Sequence, residues 1–149
     1  PISSLLARYY INEGLYEPAI YHLEQGIKNN PYLDYNYEQK IIAHLLNNEF
    51  EPAKLIAKRL FLDNNNELKY ADLYFQLISY LNSEEDFIEI FPEIDNSNTN
   101  ITNIYFNYFS QIKNLDKKLF LRFINASLSN QPNNFLKDLK EKISKEKLD

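Results

Sequence analysis

Tyr16-Glu17-Pro18-Ala19 and Phe50-Glu51-Pro52-Ala53 are two copies of one aromatic–acidic–proline–alanine stretch, set 34 residues apart. The register extends outward. Asn12-Glu13-Gly14-Leu15 aligns with Leu46-Asn47-Asn48-Glu49, and Ile27 aligns with Phe61. A period of this size marks an architecture of stacked supersecondary units, none of which can bury its apolar face alone.

The residues between the copies say what the unit is. Apolar positions recur at three and four residues, the spacing of one helix face. The stripes are Leu5, Leu6, Tyr9 and Tyr10; Ala19, Ile20, Leu23 and Ile27; and Tyr37, Ile41, Ile42, Leu45 and Leu46. They continue through Ala53, Ile56, Ala57, Leu60 and Phe61, then Tyr70, Leu73, Tyr74, Leu77, Ile78 and Leu81. Later stripes run Ile101 to Ile112, Leu119 to Leu128 and Phe135 to Ile143. No alternating strand pattern persists, and no Asn-Gly or Asp-Gly hairpin turn occurs. Val is absent and Thr occurs twice, so Ile alone carries the usual β-branched set.

The chain holds 20 Asn, most of them between stripes at a spacing of about 17 residues. Asn tolerates the left-handed conformation that ends a helix and also caps helix N-termini. The pattern reads as helix, Asn turn, helix, Asn turn. Asn36, Asn103, Asn107 and Asn125 fall inside predicted helices and do not fit that role. Other punctuation agrees. Pro18 and Pro52 sit in first helical turns, where a missing N–H costs nothing. Ser83 with Asp86 forms a capping box, with Glu84 and Glu85 favoured by the helix dipole. Asp116 caps a helix from Lys117, and Pro92 ends a short helix near Phe91.

Composition removes several classes of function. The formal charge of -5 argues against a nucleic-acid binder, which needs a basic footprint. No stretch approaches 18 uninterrupted apolar residues, so no membrane-inserting helix is expected. With no Cys there is neither a disulfide framework nor thiolate chemistry. The chain starts at Pro1 and holds no Met, which reads as a piece of a longer protein or a processed chain. It reads as soluble, with a cytoplasmic setting slightly favoured over a periplasmic or envelope-associated one. The excess of Asn, Ile, Lys, Tyr and Phe reads as AT-rich codon usage. High apolar and aromatic content argues for a folded chain over a disordered Asn-rich one.

A helical hairpin of 34 residues resembles the tetratricopeptide repeat. In the first unit Leu6, Ala7 and Tyr10 stand at the family's first-helix positions and Gly14 at the turn. Tyr16, Ala19, Leu23 and Gly26 stand at the second-helix positions, and Pro31 at the closing proline. Ala7 and Ala19 let the paired helices approach closely, and Gly26 lets the next unit pack near. The second unit keeps Tyr37, Phe50 and Ala53. It puts His44 at the aromatic, Asn48 at the turn glycine and Asn65 at the closing proline.

The resemblance implies an all-α, right-handed superhelical array of antiparallel hairpins, about 8–9 helices in one domain. Its units would be 1–34, 35–66, 67–94 and 95–130, closed by a charged capping helix over 131–149. It also implies a protein or peptide partner, held in a concave groove lined by the first helix of each hairpin. Carried over face by face, the groove comprises Ser4, Arg8 and Asn12; Tyr35, Glu38, Gln39 and Ile42; and Lys69, Asp72, Gln76 and Tyr80. The family's chaperone-binding members use a Lys/Asn/Arg carboxylate clamp; here Ser4 and Arg8 stand in place of the Lys and Asn, so chaperone binding is not expected.

No constellation supports catalysis. The only histidines, His22 and His44, lack metal-ligand spacing, so neither a metal nor a cofactor is expected. His44 reads as a partly buried packing residue and His22 as an exposed one. No Gly-rich phosphate loop or GxSxG stretch occurs. The two sequons, at Asn100 and Asn125, are what chance supplies among so many Asn. The expected function is therefore a non-enzymatic interaction or scaffold module. The alternatives are a peptide-sensing regulatory domain or an accessory domain of a larger multidomain enzyme.

Overall fold

The computed structural model describes residues 2–146. Lys147 and Asp149 of the expected charged cap lie outside them. The described residues are all-helical, with 77% helix and the helices packed consecutively in neighbouring pairs. In chain order these are α1 (Ile2–Asn12), α2 (Tyr16–Asn29), α3 (Asp34–Leu46), α4 (Phe50–Asp63) and α5 (Leu68–Tyr80). They continue as α6 (Glu84–Ile90), α7 (Thr99–Phe109), α8 (Lys117–Asn130) and α9 (Asn134–Lys145). No strand occurs among the described residues.

Four turns carry the repeat. Gly14, Asn48, Asn82 and Asn114 adopt positive φ values of 76°, 59°, 53° and 56°. Each follows the first helix of a hairpin, and the first three are spaced by the 34 residues of the sequence period. Glycine reaches this conformation freely, and Asn is the side chain that enters it at least cost. The N-termini are specified as locally. Ser83, Asn98, Asp116 and Asn133 accept hydrogen bonds from backbone N–H groups three residues on. Pro92 falls in a short 3₁₀ turn, Phe91–Glu93, directly after α6.

The helices fall into two compact units, Pro1–Asp63 and Asn64–Asp149. In the first, α1 to α4 pack in succession and α1 also touches α3. Ala7, Leu23 and Ala43 meet at its centre, with Ile11 and Ile20 against them. Small residues allow this approach. A methyl group on Gly26 would lie 3.0 Å from Asn36 Nδ2, so this glycine makes room for the Asn36 amide. Asn36 is only 1% exposed, and its Oδ1 accepts a 2.8 Å bond from the Ser4 hydroxyl. One of the four asparagines that did not fit a turn is thus an interhelical clasp between α1 and α3.

In the second unit α5 packs on α6 and α7, while α8 and α9 pack on each other and on α7. Its core is aromatic. Phe75, Phe87, Phe106 and Phe109 surround Tyr105 at centroid distances of 4.9–5.7 Å. Phe87 stacks on Phe109, and Phe91 stacks on Phe123. Edge-to-face and offset contacts of this kind add stabilisation beyond area burial. The Tyr105 hydroxyl donates a 2.6 Å bond to the Phe87 carbonyl, so the one polar group inside this cluster is satisfied. Burial pushes the phenol well above its ordinary pKa and keeps the donor protonated.

Two expectations are corrected. The stripe Leu5, Leu6 and Tyr9 is exposed, and α1 turns Ser4 and Ala7 inward instead. The smaller residues win because α1 meets α2 and α3 at close range. His22 is half-buried, its ring stacked on Tyr10 at 5.4 Å. His44 is buried as expected, with Nδ1 3.1 Å from Glu49 Oε1.

Candidate functional site

The candidate site lies wholly in the second unit, where α7 packs against both α5 and α9. A depression of about 350 Å³ is lined by Leu68 of α5, Asn100, Asn103, Ile104 and Asn107 of α7, and Phe135 of α9. A second of about 250 Å³ shares Asn107 and Phe135 and runs on to Asp138, Leu139 and Lys142 of α9. Together they make a groove along two turns of α7 and α9. The first volume lies at the lower end of the range for ligand pockets.

The spacing of these residues comes from the helix itself. Asn100, Asn103, Ile104 and Asn107 recur at three, four and seven residues, so they share one face of α7. Phe135, Asp138, Leu139 and Lys142 do the same on α9. One wall is rich in amides, and the other mixes apolar surface with one carboxylate and one ammonium. Asn103 Oδ1 accepts a 2.6 Å bond from Asn133 Nδ2, which ties α7 to the start of α9. Asn133 in turn accepts from the Leu136 amide and starts that helix. The Asn100 and Asn107 amides face solvent, and the exposed Phe135 ring sits beside them. Each free amide offers two N–H donors and an acceptor oxygen.

The wall is held by bonds behind it. The Tyr108 hydroxyl donates to Asp72 Oδ1 at 2.8 Å, and Ser79 Oγ donates to the Tyr108 carbonyl at 3.0 Å. Burial, then the bond and charge of Asp72, push the Tyr108 phenol up to about 12. It remains a donor throughout the neutral range, so α5 and α7 are clasped at both ends of one residue.

The eleven residues singled out from the sequence fall elsewhere. Ser4 is buried and bonded to Asn36, so its hydroxyl is already engaged. Arg8 and Asn12 are exposed on α1; Tyr35 and Ile42 are exposed on α3, where Glu38 and Gln39 are half-buried. In the second unit Lys69, Gln76 and Tyr80 are exposed on α5, with the Lys69 ammonium 4.8 Å from the Tyr70 ring. Asp72 is half-buried and accepts from Tyr108. None of the eleven lines the groove. The signal for the groove was present, since Asn103 and Asn107 stood out as helix-internal asparagines with no capping role.

Among the described residues no group of three His, Cys, Asp or Glu side chains is placed to hold a metal ion. No helix among them is long and apolar enough to cross a membrane. Neither a family model, nor a curated protein, nor a solved structure matches the chain.

Proposed function

We propose that the chain is a protein–protein interaction module, a tetratricopeptide-like hairpin array that holds an extended segment of a partner protein in the α7/α9 groove. The observation that carries this reading is the pairing of apolar lining residues, Ile104, Leu139 and Phe135, with the solvent-facing amides of Asn100 and Asn107. An extended peptide presents alternating side chains and unsatisfied backbone amides, and recognition needs partners for both. The geometry suits it. Asn100 and Asn107 lie seven residues apart, about 10.5 Å along a helix. Three residues of extended chain span about the same distance. Two side-chain amides can therefore meet peptide groups three residues apart, while a bulky side chain enters the larger depression.

The test is selection of binders to the 149-residue protein from a displayed random-peptide library, followed by affinity measurement on variants. Asn107→Ala with Phe135→Ala should weaken the selected peptides by about tenfold or more, equivalent to about 1.4 kcal/mol. Arg8→Ala should leave them unchanged. Absence of any enriched peptide, or equal affinity for the double variant, would remove the groove from the account.

A further inference from the structure

Two charges stand at one end of the α7/α9 groove. Asp138 and Lys142 line its smaller depression, and both are exposed. Among the described residues they are the only Asp, Glu, Lys or Arg lining either depression. The facing wall supplies no such charge, since Thr99–Phe109 contains none of these four residue types. The charge pattern met by a segment in the groove is therefore set by these two side chains.

The pair is also open. Residues four apart on a helix are neighbours, and an acid and a base at that spacing ordinarily bridge. The next such pair on α9 does, with Lys145 Nζ 2.7 Å from Glu141 Oε1. Among the described residues the side chains of Asp138 and Lys142 form neither an ion pair nor a hydrogen bond. Aspartate is one methylene shorter than glutamate, so its carboxylate reaches less far along the helix. Both charges are left for a ligand.

Their spacing suits an extended chain. Four helical residues rise about 6 Å, and alternate residues of an extended chain share one face about 6.6 Å apart. On the reading of the groove given above, a seated segment can set a basic side chain against Asp138. Two residues on, it sets an acidic one against Lys142. The larger depression fixes the order. Phe135 lines both depressions, and along α9 from Phe135 the carboxylate of Asp138 comes before the ammonium of Lys142. We infer that the partner segment carries alternate residues in the order apolar, basic, acidic, running from the larger depression towards Lys142. The exchanged order, apolar, acidic, basic, would oppose like charges at both positions, the arrangement that rejects wrong partners. A uniformly acidic or uniformly basic segment would meet one like charge.

The experiment uses two displayed peptide libraries of equal composition, each built in both chain directions. One fixes apolar–x–basic–x–acidic, and the other exchanges the two charges. Each is panned against the wild-type protein and against Asp138→Lys combined with Lys142→Asp. Far-ultraviolet circular dichroism verifies that the swapped variant remains helical. The first library should be enriched over the second by about fivefold on the wild type, the scale of a few exposed ion pairs. The preference should reverse on the swapped variant. Equal enrichment of the two libraries, or one preference shared by both proteins, would overturn the inference. If those equally enriched peptides are lost on Asn107→Ala with Phe135→Ala, the groove itself stands. Peptides that bind this variant as well as the wild type would remove the groove and the inference together.

Discussion

Asn48 shows how one residue carries the repeat. Its φ of 59° is costly for a side chain with a Cβ, and Asn tolerates it better than most. Asn48→Ala should therefore destabilise by about 1 kcal/mol, whereas Asn48→Gly should leave stability within about 0.5 kcal/mol, with backbone relief offset by unfolded-state entropy. Urea midpoints of the two variants check this. One position later Glu49 supports the same turn. Hydrogen bonds from Asn47 and His44 hold its carboxyl below the ordinary range, partly opposed by desolvation. A depressed folded pKa means that the stabilisation is present above the ordinary value and lost as pH falls through the lowered one. The stability difference between wild type and Glu49→Gln should accordingly vanish in acid and persist at neutral pH in a pH series of thermal melts.

The helices were legible as elements because their signals are local. The proline starts, the Ser83 box and the asparagine turns each depend on a few adjacent residues, and all are found where the sequence places them. Which face of a helix turns inward is not local. For α1 the apolar stripe looked like the buried side, yet Ser4 and Ala7 face in because neighbouring backbones come close. The Gly26–Asn36 contact tests that close approach. Gly26→Ala gains about 1 kcal/mol of helix propensity but presses on a buried, bonded amide, and overpacking costs about 1–3 kcal/mol. It should destabilise the wild type and stabilise an Asn36→Ala background. A double-mutant cycle reads the reversal in sign directly. Equal effects in both backgrounds would mean that α2 and α3 are not in this contact.

At the scale of the molecule, the 34-residue period made the all-helical, paired architecture readable, since two clear copies suffice to set the unit. The groove was less readable. It is built from α7 and α9, where the motif of the first unit has faded and no register could be carried across. Asn100, Asn103 and Asn107 gain their meaning from the helix that packs beside them, which their own spacing does not reveal. Phe135 is similar, because its exposure depends on how α9 meets α7. The most direct test is a nuclear magnetic resonance titration of the protein with a library-selected peptide, following side-chain amide and methyl signals. The account predicts that shifts concentrate at the Asn100 and Asn107 amides and at the Ile104 and Leu139 methyl groups. Shifts centred on α1 and α3, with those four residues silent, would contradict it.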